Sequence, residues 1–277
     1  WAQATATIMR LADQAAIPRA LGLIYLGSAV ATAFAAPLGS YLGDFIGWRG
    51  VFWLLTPMVV INVLWLWWAL PTMPPQPTGS TGSVGALLQR RHVQFAMQGV
   101  MLTFAGAFAA FTYLRPFLET RSHVSVPQLS ALLLALGLAG FLGTTAASAA
   151  LANHLYRLLR WLPLALALVT LTLLRLEHQL WGVALAMTLW GAINAAIPVG
   201  WSAWIADGIQ DAPESGGGLM VAAIQLAIML GAAFGGLLLD LLSVEATFVA
   251  SALLLITATL ILGNGTRLSP PSYITQE

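Results

Sequence analysis

The chain has 277 residues, of which 59% are hydrophobic and 8% charged, with a formal net charge of +1 and a mean hydropathy of +0.84. A typical soluble domain is about 45–50% apolar and about 25% charged, so a water-soluble core is excluded: too few charges remain to cover the apolar surface, and lipid must take the place of water. The basic residues are all arginines, scattered rather than clustered, which gives no support to nucleic-acid binding, and without cysteine there is no disulfide, thiolate metal site or catalytic thiol.

The charges punctuate the chain at intervals of about one bilayer crossing, and a spanning helix needs about 20 apolar residues. In chain order, residues 1–9 read as the tail of a span, and 20–43 and 51–70 as full spans. Residues 71–83, rich in Pro, Gly, Ser and Thr, read as a flexible connection. Two further spans fall at 93–114 and 128–151. The stretch 161–174 is short, and crosses only if Arg160 and Arg175 snorkel to the interfaces. Spans at 180–205, 217–239 and 246–262 complete the set, before a polar tail to Glu277. These are long unbroken apolar runs without β-barrel alternation, and helices satisfy the backbone within them. The expected class is therefore an all-α polytopic membrane protein, with one partial and eight full spans. The chain does not open with Met and its first apolar stretch lacks a signal peptide's n-region and cleavage site; it is expected to begin inside a span, as a partial sequence.

Orientation follows from the arginines. With 71–92 taken as cytoplasmic, one side collects Arg10, Arg19, Arg90, Arg91, Arg157, Arg160 and Arg267, and the other Arg49, Arg115, Arg121 and Arg175. Seven against four is a modest positive-inside bias that places the tail in the cytoplasm.

An internal repeat runs at an offset of 196 residues: Gly39, Asp44 and Phe52 match Gly235, Asp240 and Phe248. Both copies place a small-residue helix before an acidic cap, a short turn and another span. Six spans fit this one offset, so both copies share an orientation, the parallel-repeat arrangement of two six-helix halves. Gly39-x-x-x-Gly43, Gly231-x-x-x-Gly235 and the run Gly137, Gly140, Gly143 let helix backbones approach closely, either as static packing or as an interface along which two halves rock.

From Ala35 the chain reads AAPLGSYLGDFIGWRGVF, which resembles the fifth-to-sixth span junction of bacterial proton-coupled efflux pumps. FAAFTYLRPF at 108–117 and WGAINAAIPVGWSAWI at 190–205 resemble the seventh and tenth spans of the purine ribonucleoside efflux pumps, in the drug:proton antiporter branch of the major facilitator superfamily. VAAIQLAIMLGAAFGG at 221–236 resembles their eleventh span. Related sugar exporters share parts of the span-five signature. The sequence departs from the pattern in carrying Ala36-Pro37 where Gly-Pro is usual, and in lacking the Gly-Asp-Arg pattern after span eight, at 152–160.

The resemblance implies a major facilitator fold covering the end of span four through span twelve. Residues 1–70 would close an N-terminal bundle, 71–92 form a cytoplasmic loop, 93–262 a C-terminal six-helix bundle and 263–277 a cytoplasmic tail. It implies a monomeric secondary transporter of the bacterial inner membrane, exporting purine ribonucleosides by proton antiport through alternating access; a sugar or drug exporter is the alternative. Its partners would be a small-molecule substrate, the proton and the lipid bilayer, with no nucleic acid and no cofactor. Asp44, Asp207 and Asp240 sit at span ends, so the coupling acid is expected in spans one to three. No His/Asp/Glu cluster has metal-ligand spacing and no Ser/His/Asp set suits nucleophilic work, so neither a metal site nor an enzyme is expected.

Polar groups inside spans are costly and mark functional candidates. Gln98 and Thr103 lie in span seven, Asn194 in span ten and Gln225 in span eleven. Amides donate and accept, which suits a ligand with ring nitrogens and hydroxyls; the other reading is interhelical glue. By the resemblance, spans seven and ten line the central cavity, with Gln98 and Asn194 facing the midline and Gln225 at the flank. Phe104, Phe108 and Phe111 put three rings on one helical face, as a stacking surface for a purine or as packing or lipid contact, and Trp190, Trp201 and Trp204 share that ambiguity. The substrate-path candidates are Gln98, Phe104, Phe108, Asn194, Trp201 and Gln225. Arg115, before Pro116, reads as an interfacial anchor or as an outer gate paired with Glu119. Pro37, Pro57 and Pro198 are hinges or tolerated kinks. His92, His123, His154 and His178 fall near span ends.

Overall fold

In lipid a backbone N–H or C=O finds no water, so an apolar run closes its hydrogen bonds within itself. The computed structural model, which describes residues 17–70, 84–209, 211–263 and 267–269, follows that rule, and no strand occurs among the described residues. The helices are α1 (Ile17–Ala69), α2 (Val84–Leu88), α3 (Arg91–Thr112), α4 (Leu114–Thr120), α5 (Val126–Arg175), α6 (Leu180–Gly208), α7 (Pro213–Leu241) and α8 (Val244–Leu262). Among the described residues, seven stretches are long and apolar enough to cross a membrane: Pro37–Ala69, Arg91–Thr120, Val126–Ala147, His154–Arg175, Leu180–Gly208, Ser215–Leu241 and Val244–Leu262. The expected partial span at 1–9 and the connection at 71–83 lie outside the described residues.

Two helices are longer than any expected span, each through one irregular residue. The spans read at 20–43 and 51–70 are one run, α1, broken at Gly47, whose φ of 71° and ψ of 161° are non-helical. Only glycine reaches that backbone region without strain, and it falls inside the turn read after Asp44. In α5 the loop read at 152–160 is helical instead, broken at His154 (φ −139°, ψ 32°). That continuation resolves the short stretch 161–174. The span starts at His154 and gains two turns that carry Arg157 and Arg160, and the Arg160 guanidinium lies 4.9 Å from the Trp161 ring centre. Local caps fix other helix starts: the Gln128 side chain accepts from the Ser125 N–H at 2.9 Å, and Ser243 Oγ accepts from the Ala246 N–H at 3.3 Å.

α3 packs between α7 and α8, α6 lies along α5, and α5 also meets α8 and α1. Without a hydrophobic drive between helices in lipid, close backbone approach and interhelical hydrogen bonds hold such a bundle. A Cβ on Gly231 would sit 2.3 Å from the Ala105 carbonyl oxygen, and one on Gly235 2.8 Å from the Tyr113 ring. Likewise a Cβ on Gly143 would sit 2.1 Å from the Ala192 carbonyl oxygen, and one on Gly191 2.2 Å from the Leu136 carbonyl oxygen. Tyr113 Oη donates to the Ala232 carbonyl (2.8 Å) and Ser251 Oγ to the Gly106 carbonyl (2.6 Å), tying α3 to α7 and α8. The small-residue runs of α5 and α7 are thus packing surfaces inside this bundle. Gly39 and Gly43, by contrast, have no atom within 4 Å of a built Cβ among the described residues.

Candidate substrate path

The packed face of α3 buries Val93, Ala96, Met97, Val100, Thr103, Phe104, Ala107 and Ala110, while Gln94, Gln98 and Thr112 are exposed and Met101, Ala105 and Phe108 half-buried. Spacings of three and four place those last six on one stripe along the helix. Thr103 turns the other way: its hydroxyl is buried and has no partner among the described residues, although Thr170, Thr188 and Thr257 each bond the carbonyl one turn back. On α6, Trp190, Gly191, Ile197, Trp201 and Trp204 face the core, Asn194 is half-buried and Pro198 exposed.

The rings of α3 and α6 meet where the two helices pass. Phe111 stacks on Trp190 with centroids 5.7 Å apart and planes 10° apart, and Phe108 stands edge-on to Phe111 at 5.7 Å and 69°. The Trp190 Nε1–H donates to Thr170 Oγ1 of α5 at 3.1 Å. Phe104 and Trp201 are packed into the core, at 6% and 1% exposure. Trp201 lies edge-on to Trp204, whose Nε1–H donates to the Leu268 carbonyl at 3.0 Å.

This contact sets the depths of the candidates. α3 and α6 run in opposite directions, so one turn inward from the Phe111–Trp190 pair lie Phe108 on α3 and Asn194 on α6, about 4.5 and about 6 Å down at about 1.5 Å per residue. Gln98 is thirteen residues from Phe111, about 20 Å down and thus about 13 Å beyond Asn194. α7 runs parallel to α3 with Gly231 against Ala105, which sets Gln225 level with Gly99, beside Gln98. The three amides therefore occupy two levels, Gln98 with Gln225 and Asn194 with Phe108. None of the three side chains hydrogen-bonds another helix among the described residues. Pro198 has no N–H to give the carbonyl four residues back, so the Asn194 main-chain oxygen lacks its helical donor and lies at the same level as the Asn194 amide. α1 and α6 stay helical through Pro37, Pro57 and Pro198; the irregular residues are Gly47 and His154.

Two charged clusters close the ends of the bundle. At one end Arg90 makes a paired contact with Asp211 (2.8 and 2.6 Å), joining the starts of α3 and α7. These guanidinium hydrogen bonds hold the Asp211 carboxyl down to about 2. Beside it His92 Nε2 lies 3.2 Å from the Gly208 carbonyl oxygen, Tyr156 Oη donates to Asp207, and the Arg267 guanidinium rests 5.2 Å from the Phe95 ring centre. At the other end Arg121 bonds Glu177 (2.8 and 3.1 Å) and Glu245 (2.8 Å), tying the turn after α4 to the α5–α6 turn and the start of α8. The Glu177 hydrogen bonds raise Arg121 above its ordinary value. Arg115 pairs with Glu119 at 2.8 Å one turn along α4, both exposed. Sequence reading singled out Arg115 and missed Arg90, Asp211, Arg121, Glu177 and Glu245, because a charge beside a span does not say which distant turn it meets. Among the described residues no group of three or more His, Asp or Glu is placed to hold a metal ion.

The family model of the Major Facilitator Superfamily matches residues 1–214. A Pseudomonas aeruginosa protein named transcription regulatory protein OpdE is 43% identical over 262 residues, which cover 93% of this chain and 65% of that relative. The purine ribonucleoside efflux pump NepI of Salmonella enteritidis is 37% identical over 272 residues, and that of Salmonella typhimurium 38% over 277, in both cases covering 98% of this chain and 68% of the pump. The chain thus spans less than two thirds of the first relative's length and just over two thirds of the pumps'.

Proposed function

The chain belongs to the major facilitator superfamily, and on that premise we propose that the protein is a monomeric inner-membrane exporter of purine ribonucleosides, driven by proton antiport through alternating access. The observation that carries this reading is the identity of 37–38% to pumps named for that efflux, over 98% of the chain. The site supports it. Gln98, Asn194 and Gln225 keep their donors and acceptors off neighbouring helices among the described residues, and the half-buried ring of Phe108 offers an aromatic face at the depth of Asn194. A nucleoside presents a flat base and a polar edge to match; a sugar presents hydroxyls and no aromatic face. Arg115 with Glu119 would gate the outer end, and Pro37 and Pro198 would flex as the halves rock.

The name of the Pseudomonas relative does not bring DNA contact to this chain, whose arginines are spread along its whole length. Expression of the complete gene in cells challenged with a toxic purine ribonucleoside should raise resistance and lower the cell's nucleoside content. Unchanged resistance and content, with the protein present in the membrane, would overturn the proposal.

A further inference from the structure

We propose that Phe108 is the platform on which the base of the transported nucleoside stacks, and that Trp190 and Thr170 are positioning residues that hold this platform through Phe111. The inference rests on the purine reading above and deepens it. Thr170 Oγ1 donates to the Leu166 carbonyl at 2.8 Å and accepts from Trp190 Nε1 at 3.1 Å, so both roles of a fully buried hydroxyl are filled. The indole, 2% exposed, is thereby fixed in plane and rotation. Phe111 lies parallel to it, within 10°, and presents its ring to Phe108 at 69°. Offset-stacked and edge-to-face pairs are the favoured arrangements of aromatic rings, so three side chains, Thr170 of α5, Trp190 of α6 and Phe111 of α3, set the orientation of the last ring.

A ring held in its binding orientation before the ligand arrives loses less freedom on binding. Phe108 is the half-buried end of this series, and the base would take the next stacking position. At the same depth Asn194 offers a side-chain amide and the main-chain carbonyl that Pro198 leaves without its helical donor. A donor and two acceptors level with an aromatic face suit the edge of a planar heterocycle. Because stacking grows with ring area, the platform favours a bicyclic purine over a pyrimidine.

The test uses the full-length protein in membrane vesicles, with saturation kinetics for one purine and one pyrimidine ribonucleoside, corrected for the amount of protein. Phe108→Leu and the unbranched Phe108→Met should raise the purine KM by about tenfold, the size expected of a lost base–aromatic stack, and shrink the purine-over-pyrimidine preference, while Phe108→Tyr keeps both. Thr170→Val should raise the purine KM by about threefold alone and add nothing in the Phe108→Leu background, because it acts through that ring; Thr170→Ser should restore the wild-type value. An unchanged purine KM in Phe108→Leu and Phe108→Met, with the wild type still moving purines, overturns the platform. Thr170→Val losses that add fully to those of Phe108→Leu overturn the positioning role. A wild-type protein that moves no purine ribonucleoside overturns the functional reading and the platform together.

Discussion

α1 and the bundle α3–α8 are built from the same apolar alphabet and differ in what covers it. Trp67 and Trp68 at the end of α1 are 81% and 83% exposed, whereas Trp190 and Trp204 in the bundle are 2% and 0% exposed. The contrast extends to a shared motif, since Gly39-x-x-x-Gly43 and Gly231-x-x-x-Gly235 carry the same spacing on helices related by the internal repeat. Gly231 and Gly235 lie against the backbone of Ala105 and the ring of Tyr113; Gly39 and Gly43 meet nothing within 4 Å among the described residues. Hydropathy selects a helix for the membrane, and a small-residue stripe permits close approach, but a partner of matching shape is what turns permission into packing.

The largest expected effect is on that pair of motifs. Gly231→Leu drives a side chain into the Ala105 carbonyl and should cost about 1–3 kcal/mol or more of overpacking, seen as loss of folded protein in detergent melts. In this 277-residue chain Gly39→Leu, at a position that meets nothing among the described residues, should stay within about 0.5 kcal/mol. Equal losses would erase the distinction between the two regions. Next comes Asn194→Leu, which removes a donor and an acceptor while keeping the side chain's branching and number of heavy atoms. It should cost about 1–3 kcal/mol of substrate binding, a loss of about five- to 150-fold in apparent affinity, at unchanged expression. Thr56→Val on α1, whose hydroxyl donates to the Phe52 carbonyl of its own helix and to no other helix among the described residues, should leave transport alone. If Asn194→Leu lowers transport only in step with protein amount, the residue is interhelical glue.

Smaller effects are expected at the charged ends. Arg121→Ala unties three turns and leaves Glu177, whose side chain is 10% exposed, without its guanidinium. It should lower the melting temperature more than Arg49→Ala on α1, where the guanidinium lies over the Trp48 ring one residue away. A smaller drop for Arg121→Ala than for Arg49→Ala would contradict the assignment. The smallest effect is with pH. The folded Asp211 carboxyl is held below its ordinary 3.8 at about 2. A depressed acid stabilises above its unfolded value and loses that contribution as pH falls through the folded one. The Arg90–Asp211 contact should thus leave stability flat from pH 5 to 8 and weaken only below about pH 4, with Asp211→Asn removing that acid limb in melts across pH.

The spans were legible because an apolar run bounded by arginines reports its own solvent: 93–114 was read where the structure has Arg91–Thr120, and 180–205 where it has Leu180–Gly208. The breaks were not. Gly47 lies in a turn the sequence does mark, but nothing around His154 signals that the run at 152–160 continues as helix rather than loop. Of the site, the residue types were legible and their grouping was not. Gln98, Asn194 and Gln225 look alike in sequence, and only the Phe111–Trp190 stack and the Gly231–Ala105 contact sort them by depth. Phe104 and Phe108 share a helical face by spacing, yet the first is packed into the core and the second is half-open. Arg121 and Arg90 act across more than 50 residues of chain, with Glu177 and Asp211, a distance over which periodicity carries no information.

In the proposed function the open face of α3 and α6 serves the export of a purine ribonucleoside driven by a proton gradient. Everted membrane vesicles containing the full-length protein, energised acid inside, test it most directly. A labelled purine ribonucleoside should accumulate, with accumulation that collapses when a protonophore removes the gradient and falls at least fivefold at sub-saturating substrate in Asn194→Leu, the lower bound set by one lost ligand hydrogen bond. No gradient-dependent accumulation by wild-type protein verified in the membrane would contradict it.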